Sequence, residues 1–305
     1  MTPADVRVLA KFGLTEADLI GRGGESSVYA LGSDRVLRLA RSRNFRVLAR
    51  ARLKAFLDRI AGRFPFATPE ILEIGPNEAW TIEKRLAGRP MLALLRELAG
   101  TGRETALTNY ADAAAVLGTV ELPYVPYGHL IAANAVRASD WRSFVRQSLA
   151  GFLARNRARI GAEIGDPDGL FADATAMIGA LPDQPRKALV HGDYFPGNVL
   201  LADDLSVSAV IDFGVYAVAG DAQLDLATAY LTLEMNDECQ PGDAPFVRAA
   251  LVARHGEALL AVLRCYRAWL AFSMADPAFG GSLYPRLYGW SLAQLRLLAE
   301  ERLTA

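Results

Sequence analysis

The feature that most constrains this chain is a set of three short apolar runs, each of which hands polar residues to a turn. Ala188-Leu189-Val190 leads into His191-Gly192-Asp193. Asn198 opens Val199-Leu200-Leu201, and Val207 to Ile211 leads into Asp212-Phe213-Gly214. Apolar runs of this length, bounded by Gly, Pro, Asn and Asp, read as buried strands separated by tight turns. Loops at the ends of neighbouring strands can converge, so this order brings two carboxylates and one carboxamide together. Either aspartate alone would be an ordinary turn residue. The ordered set between apolar strands calls for a chemical explanation.

Phosphoryl transfer uses such a set. One carboxylate orients the acceptor hydroxyl and takes its proton, while a second carboxylate and an amide oxygen are hard ligands suited to Mg²⁺. Magnesium neutralises phosphate charge, the main electrostatic obstacle to the reaction. Composition excludes several competing classes. Two cysteines, Cys239 and Cys265, cannot build a disulfide framework or a four-thiolate zinc site, and three histidines leave little for a histidine-rich metal centre. The formal charge of -1 provides no global field for nucleic acid or an anionic membrane. No run of eighteen apolar residues predicts a membrane span, and the first residues lack a secretory pattern. The expectation is a cytoplasmic globular protein whose 52% hydrophobic content can fill a sizeable core.

Around the polar island the chain divides into two halves of different character. Leu19-Ile20, Val28 to Leu31, Val36 to Leu39, Ile71 to Ile74 and Ala79 to Ile82 predict five strands, with one helix over residues 45 to 62. From Pro90 onward helical patterns dominate, at 91–98, 105–117, 140–164, 169–180 and from 224 to the end. Residues 122–127, with two prolines, read as a loop. The expectation is an α+β chain, with a small antiparallel-sheet N-lobe at residues 1–86 joined near Glu83 to Gly88 to a larger helical C-lobe at 87–305.

His191-Gly192-Asp193 with Asn198, Ile211-Asp212-Phe213-Gly214, Gly220-Asp221 and Asp225-Leu226-Ala227 together resemble the aminoglycoside phosphotransferase family, small-molecule kinases with a two-lobed protein-kinase-like fold. The resemblance is close over residues 188–229 and looser elsewhere. It implies that Asp193 is the catalytic base or acceptor-positioning residue, that Asn198 and Asp212 hold Mg²⁺, and that Asp225 braces the catalytic loop. His191 then reads as a structural hydrogen-bonding residue.

The same resemblance assigns a nucleotide end. Gly21-Arg22-Gly23-Gly24-Glu25-Ser26 lies between two strands, where glycine lets backbone N–H groups approach phosphates, and Ser26 takes the place of a third glycine. Gly21, Gly23 and Ser26 are therefore expected at the phosphates of ATP or GTP. Kinase-like folds place a cation on the third strand, and Arg38 stands there. The carbonyl of Lys84 and the N–H of Leu86 are expected to read the base. One departure is clear. The helix that should carry a glutamate for the strand cation has none, and Asp58 is its only acid. Either Asp58 substitutes or the ion pair is absent, and the second case would suit a nucleotide-binding pseudokinase that acts through protein contacts.

For the acceptor, a small hydroxylated molecule such as an aminoglycoside or macrolide, Glu234, Asp237 and Glu238 stand at helical i, i+3, i+4 spacing. They could present one anionic face to a cationic substrate. Tyr266, Trp269, Tyr284, Tyr288 and Trp290 read mainly as packing between the terminal helices.

Overall fold

A computed structural model describes residues 2–23, 26–40, 50–132, 135–276 and 285–304. Gly24 and Glu25 of the glycine loop, residues 45–49 of the expected first-lobe helix, and Tyr284 lie outside the described residues.

The five expected strands form one antiparallel sheet: β1 (Leu19–Arg22), β2 (Ser26–Leu31), β3 (Arg35–Ala40), β4 (Ile71–Ile74) and β5 (Trp80–Lys84), in the spatial order β1-β2-β3-β5-β4. Alternation along each strand sorts the side chains between two faces. Leu37 and Leu39 join Tyr29, Trp80 and Ile82 in a small core on one face, capped by Leu9 from α1 (Pro3–Lys11). The register pairs Val28 with Arg38 and Arg38 with Thr81, so Arg38, Thr81 and Glu83 share the opposite face. That face looks toward the helix α2 (Arg50–Ile60) and the second lobe.

The larger part of the chain is helical. Its elements are α3 (Met91–Leu94), α4 (Gly100–Leu117), α5 (Trp141–Glu163), α6 (Pro167–Met177), α7 (Gln223–Leu231), α8 (Asp243–His255), α9 (Leu259–Met274) and α10 (Pro285–Thr304). Asp140 caps α5 by accepting the Ser143 N–H at 2.7 Å, the start that the sequence signals. Between these helices run short strands. β6 (Arg89–Pro90), β10 (Val199–Leu201) and β11 (Val207–Val210) form a sheet in the order β11-β10-β6. A second small sheet is ordered β8-β7-β12-β9, from β7 (Tyr127–His129), β8 (Arg137–Ala138), β9 (Ala188–Val190) and β12 (Val218–Gly220). The expected loop at 122–127 thus ends in a strand, and β6, β8 and β12 are additions to the sequence reading. Among the described residues no helix is long and apolar enough to cross a membrane.

Two connections hold the sheet lobe against the polar island. Ala67, in the segment before β4, donates its N–H to Ser208 O at 2.9 Å and accepts from Val210 N–H at 3.0 Å. Immediately after the connecting segment, β6 pairs with Leu200 and Leu201 of β10. The hairpin β10–β11, whose ends carry Asn198 and Asp212, is therefore joined to both lobes.

The second small sheet is held by packing on Trp141, which is fully buried. A Cβ built on Gly220 would lie 2.0 Å from the Trp141 ring. Gly220→Ala is expected to destabilise the protein by about 1–3 kcal/mol through overpacking, and urea unfolding of the variant beside wild type measures it.

Candidate active site

The turn after β9 is organised by one buried carboxylate. Asp225, in the first turn of α7, accepts the His191 N–H at 2.7 Å on one oxygen and the Gly192 N–H at 3.0 Å on the other. Burial pushes its carboxyl up to about 7, against the lowering effect of those two N–H donors. Gly192 makes the turn possible. Its φ is +76°, and a Cβ there would meet the Tyr216 carbonyl oxygen at 2.1 Å.

His191 is fully buried, and both ring nitrogens are engaged. Nδ1 accepts the Asp193 N–H at 3.3 Å, and this assigns the proton to Nε2, which donates to Ile211 O at 2.9 Å. Burial lowers its pKa, which keeps the imidazole neutral. The ring therefore ties the Asp193 turn to the residue before Asp212 and is not available as a base.

Asn198 ends a short 3₁₀ turn, Pro196–Asn198. Its Nδ2 donates to the Asp193 carbonyl at 2.9 Å and to Asp193 Oδ2 at 3.3 Å. With the amide nitrogen turned toward Asp193, Oδ1 is the atom left for another ligand. The Ile211 N–H donates to Asn198 O at 2.9 Å and sets Asn198 beside Asp212. Asp212 is exposed and has φ +64°, the left-handed region that a non-glycine residue adopts only when its surroundings impose it. Phe213, buried, lies tilted against the His191 ring at 4.5 Å between centroids and reaches Phe56 of α2 at 6.2 Å. Asp193 and Asn198 thus meet in one set of hydrogen bonds braced from behind by Asp225, and Asp212 is set beside them through the bonds of its neighbour Ile211. Among the described residues no group of three or more His, Cys, Asp or Glu side chains forms a metal cage. One carboxylate and one amide oxygen suit Mg²⁺, which usually takes few protein ligands and completes its shell with phosphate and water.

On the sheet side, Arg38 Nε donates to both oxygens of Glu83, at 3.0 and 3.1 Å, and its NH1 donates to Ser26 Oγ at 3.0 Å. Thr81 Oγ1 donates to Glu83 Oε1 at 2.7 Å. The strand cation therefore does have a carboxylate, but it comes from the neighbouring strand. Asp58 does not substitute, because it pairs with Lys54 on its own helix at 2.9 Å. Arg38 and Glu83 lie diagonally across a paired register, within reach of long side chains. Gly21 pairs with Val28, and the Gly23 N–H donates to Ser26 O at 2.9 Å, next to the Ser26 hydroxyl that Arg38 bonds. At the lobe junction the Lys84 N–H is taken by Glu70 O at 3.0 Å, while the Leu86 N–H has no main-chain acceptor among the described residues. Ser26, Arg38, Glu83, Asp212 and Phe213 line one cavity of ≈ 50 Å³ between the lobes.

The chain matches the model of the phosphotransferase enzyme family over residues 16–269. It belongs to that family. It is a phosphotransferase with a kinase-like two-lobed fold. Among solved structures it is similar to a thermostable mutant of aminoglycoside phosphotransferase APH(4)-Ia in a ternary complex with AMP-PNP and hygromycin B. The identity is 18%, with 98% of each chain covered and a TM-score of 0.72. It is also similar to APH(2")-IIa in complex with gentamicin, at 15% identity, 97% and 96% coverage and a TM-score of 0.64. A third is the macrolide 2'-phosphotransferase MphH from Brachybacterium faecium, at 18% identity, 95% and 98% coverage and a TM-score of 0.58. No curated protein sequence matches the chain.

The acidic trio proposed for the acceptor is not brought together. The chain after α7 makes one 3₁₀ turn, Thr232–Glu234, and then leaves helical geometry, so no shared helical face forms. Each acid meets a different arginine. Glu234 accepts two bonds from Arg267, both 2.7 Å, and one from Trp290 Nε1 at 2.8 Å. Burial would push its carboxyl up, but the Arg267 and Trp290 donors outweigh it and hold the pKa below the ordinary value. Glu238 pairs with Arg96 at 2.5 Å, and Asp237 pairs with Arg286. Tyr266 and Trp269 pack as expected: Tyr266 is fully buried between Trp141 and Asp221, and Trp269 sits edge-on to Phe152.

The raised Asp225 pKa sets a pH dependence with a definite sign. Between the ordinary carboxylate value and about 7 the folded protein holds a proton that the unfolded chain has released. Stability contributed by this group is complete at the acid end of that window and falls as pH rises toward 7. Denaturant midpoints measured from pH 4 to 8 should show this fall in wild type and a flatter profile in Asp225→Asn, and parallel profiles would refute the assignment.

Proposed function

We propose that the enzyme transfers the γ-phosphoryl group of ATP or GTP to a hydroxyl of a small molecule of the aminoglycoside, macrolide or related metabolite class. The observation that carries this reading is the hydrogen-bonded pair of Asp193 and Asn198, held by the Asp225 clamp, with Asp212 following Ile211, whose N–H bonds Asn198 O. In the reaction Asp193 takes the proton of the acceptor hydroxyl. That oxygen forms a bond to the γ-phosphorus while the bond from the γ-phosphorus to the β,γ-bridging oxygen breaks and the nucleoside diphosphate leaves. Asn198 Oδ1 and the Asp212 carboxylate would hold Mg²⁺, which supplies charge neutralisation to the phosphates. Arg38, fixed by Glu83 and Ser26, sits where a cation can meet the phosphates from the sheet side. Gly21, Gly23 and Ser26 cover them, and the Lys84 carbonyl and the Leu86 N–H face the base.

The acceptor classes follow from the neighbours' own ligands and activities, hygromycin B, gentamicin and macrolides. The non-catalytic alternative drew on the absence of a carboxylate for the strand cation. Glu83 provides one, and this favours the catalytic reading.

Asp193→Asn keeps the shape of the side chain but cannot accept the proton. Turnover should fall by roughly 10²–10⁴ with nucleotide binding intact. Asp212→Asn should lower turnover as severely and also weaken the Mg²⁺ dependence of nucleotide binding, with Asn198→Ala milder in both. Acceptor-dependent ADP or GDP release, read beside Mg²⁺-titrated nucleotide binding, tests all three. Near-normal turnover in Asp193→Asn with a genuine acceptor would remove it as the base.

A further inference from the structure

One charged side chain in the cleft has no role in the scheme above. Arg50, the first residue of α2, is 5% exposed and lines the same cavity as Ser26, Arg38, Glu83 and Asp212. Its side chain makes no hydrogen bond or ion pair among the described residues. None of its nitrogens is sealed in the protein interior, so the guanidinium opens toward the cleft. Three acids, Glu83, Glu78 and Asp212, act on it electrostatically, yet none is in contact. Glu83 is already committed to Arg38.

We propose that Arg50 is a second phosphate-binding cation of the nucleotide site, acting beside Arg38 on the triphosphate. Four observations lead there. A buried guanidinium without a partner is costly, and arginine cannot relieve that cost by losing its proton. Burial and the neighbouring Arg38 charge both disfavour its charged form, so a dianionic group entering between the two arginines would be drawn by both. The cavity they line has room for a phosphate group or a few waters. Finally, the helix face that would carry a carboxylate in a protein kinase carries this arginine, and the carboxylate comes from β5. The two changes belong together: because Glu83 holds Arg38 from within the sheet, α2 is free to present positive charge. A guanidinium also fits phosphate oxygens as a two-pronged donor, which a neutral or acidic residue on α2 would not do.

The inference rests on the phosphotransferase reading of the cleft, and its test separates the two. Binding of adenosine, ADP and ATP, and of the guanosine series, is measured by calorimetry for wild type, Arg50→Gln, Arg50→Met and Arg50→Lys. Unfolding midpoints serve as a fold control. Loss of triphosphate affinity by roughly tenfold to a hundredfold in the Gln or Met variant is the scale of one charge-assisted pair. Nucleoside affinity should change less than twofold, with Lys between Gln and wild type. Unchanged triphosphate affinity in a folded Gln or Met variant overturns the proposal. So does an equal loss for nucleoside and triphosphate, which marks a structural role. If neither neutral variant folds, Arg50→Lys decides: a loss confined to the phosphorylated ligands supports the proposal, and an unchanged or uniform profile overturns it. Failure of wild type to bind any nucleoside or nucleotide removes the underlying reading of the cleft instead.

Discussion

The active-site loop depends on a carboxylate that never needs to touch substrate. Asp225 is 1% exposed, and its two oxygens each hold one main-chain N–H of the His191-Gly192 turn. Two N–H groups pointing the same way into a helix end would otherwise be buried without acceptors, at a cost comparable to lost hydrogen bonds. With the turn fixed, the His191 ring can bond at both nitrogens, and the Asp193 carbonyl and carboxylate are presented to Asn198. The arrangement is thus built outward from a buried acid, through backbone, to Asp193 and Asn198. Each link is a hydrogen bond with a stated donor, and this explains why a small displacement at Asp225 would reach Asp193.

The cleft's charge balance is set by a second relation, between β3 and β5. Arg38 and Glu83 sit on adjacent antiparallel strands, and Thr81 and Ser26 complete the polar set around them. Sheet register makes this pair rigid without help from α2. A kinase-like fold that takes its carboxylate from a helix makes that ion pair sensitive to helix position. Here the pair is internal to one sheet, and the helix contributes Arg50 and the apolar side chains Leu53 and Leu57 to the same cavity.

The polar island was readable because its information is local. Short apolar runs, a glycine with positive φ and acids at strand ends are properties of neighbouring residues, and the five-strand first lobe follows from the same kind of pattern. What escaped is what depends on partners distant in sequence. β6, β8 and β12 are two or three residues long, and each is defined by pairing with a strand from another part of the chain. The role of Glu83 arises from a diagonal across register, which no spacing within β5 reveals. The acidic trio looked like one face because its spacing is helical, but the chain leaves the helix after Glu234. Arginines from three separate parts of the chain then divide the acids among them: Arg96, Arg267 and Arg286. Their absence of a common face is a tertiary fact.

Packing connects the two sides of the cleft. Phe213 lies between the His191 ring and Phe56 of α2, so the residue following Asp212 touches both the His191 turn and the helix that carries Arg50. Asp212 is held in a left-handed backbone conformation, which an aspartate keeps only where its neighbours hold it. Phe213 on one side and the Ile211–His191 and Ile211–Asn198 bonds on the other supply that constraint. Movement of α2 toward or away from the sheet would therefore be felt through Phe56 and Phe213 at Asp212, and at the same time would carry Arg50 relative to Arg38. The arginines Arg38 and Arg50 and the acid Asp212 are in this way linked by one aromatic contact, and under the proposed function a triphosphate spanning them would favour the arrangement in which all of them face it together.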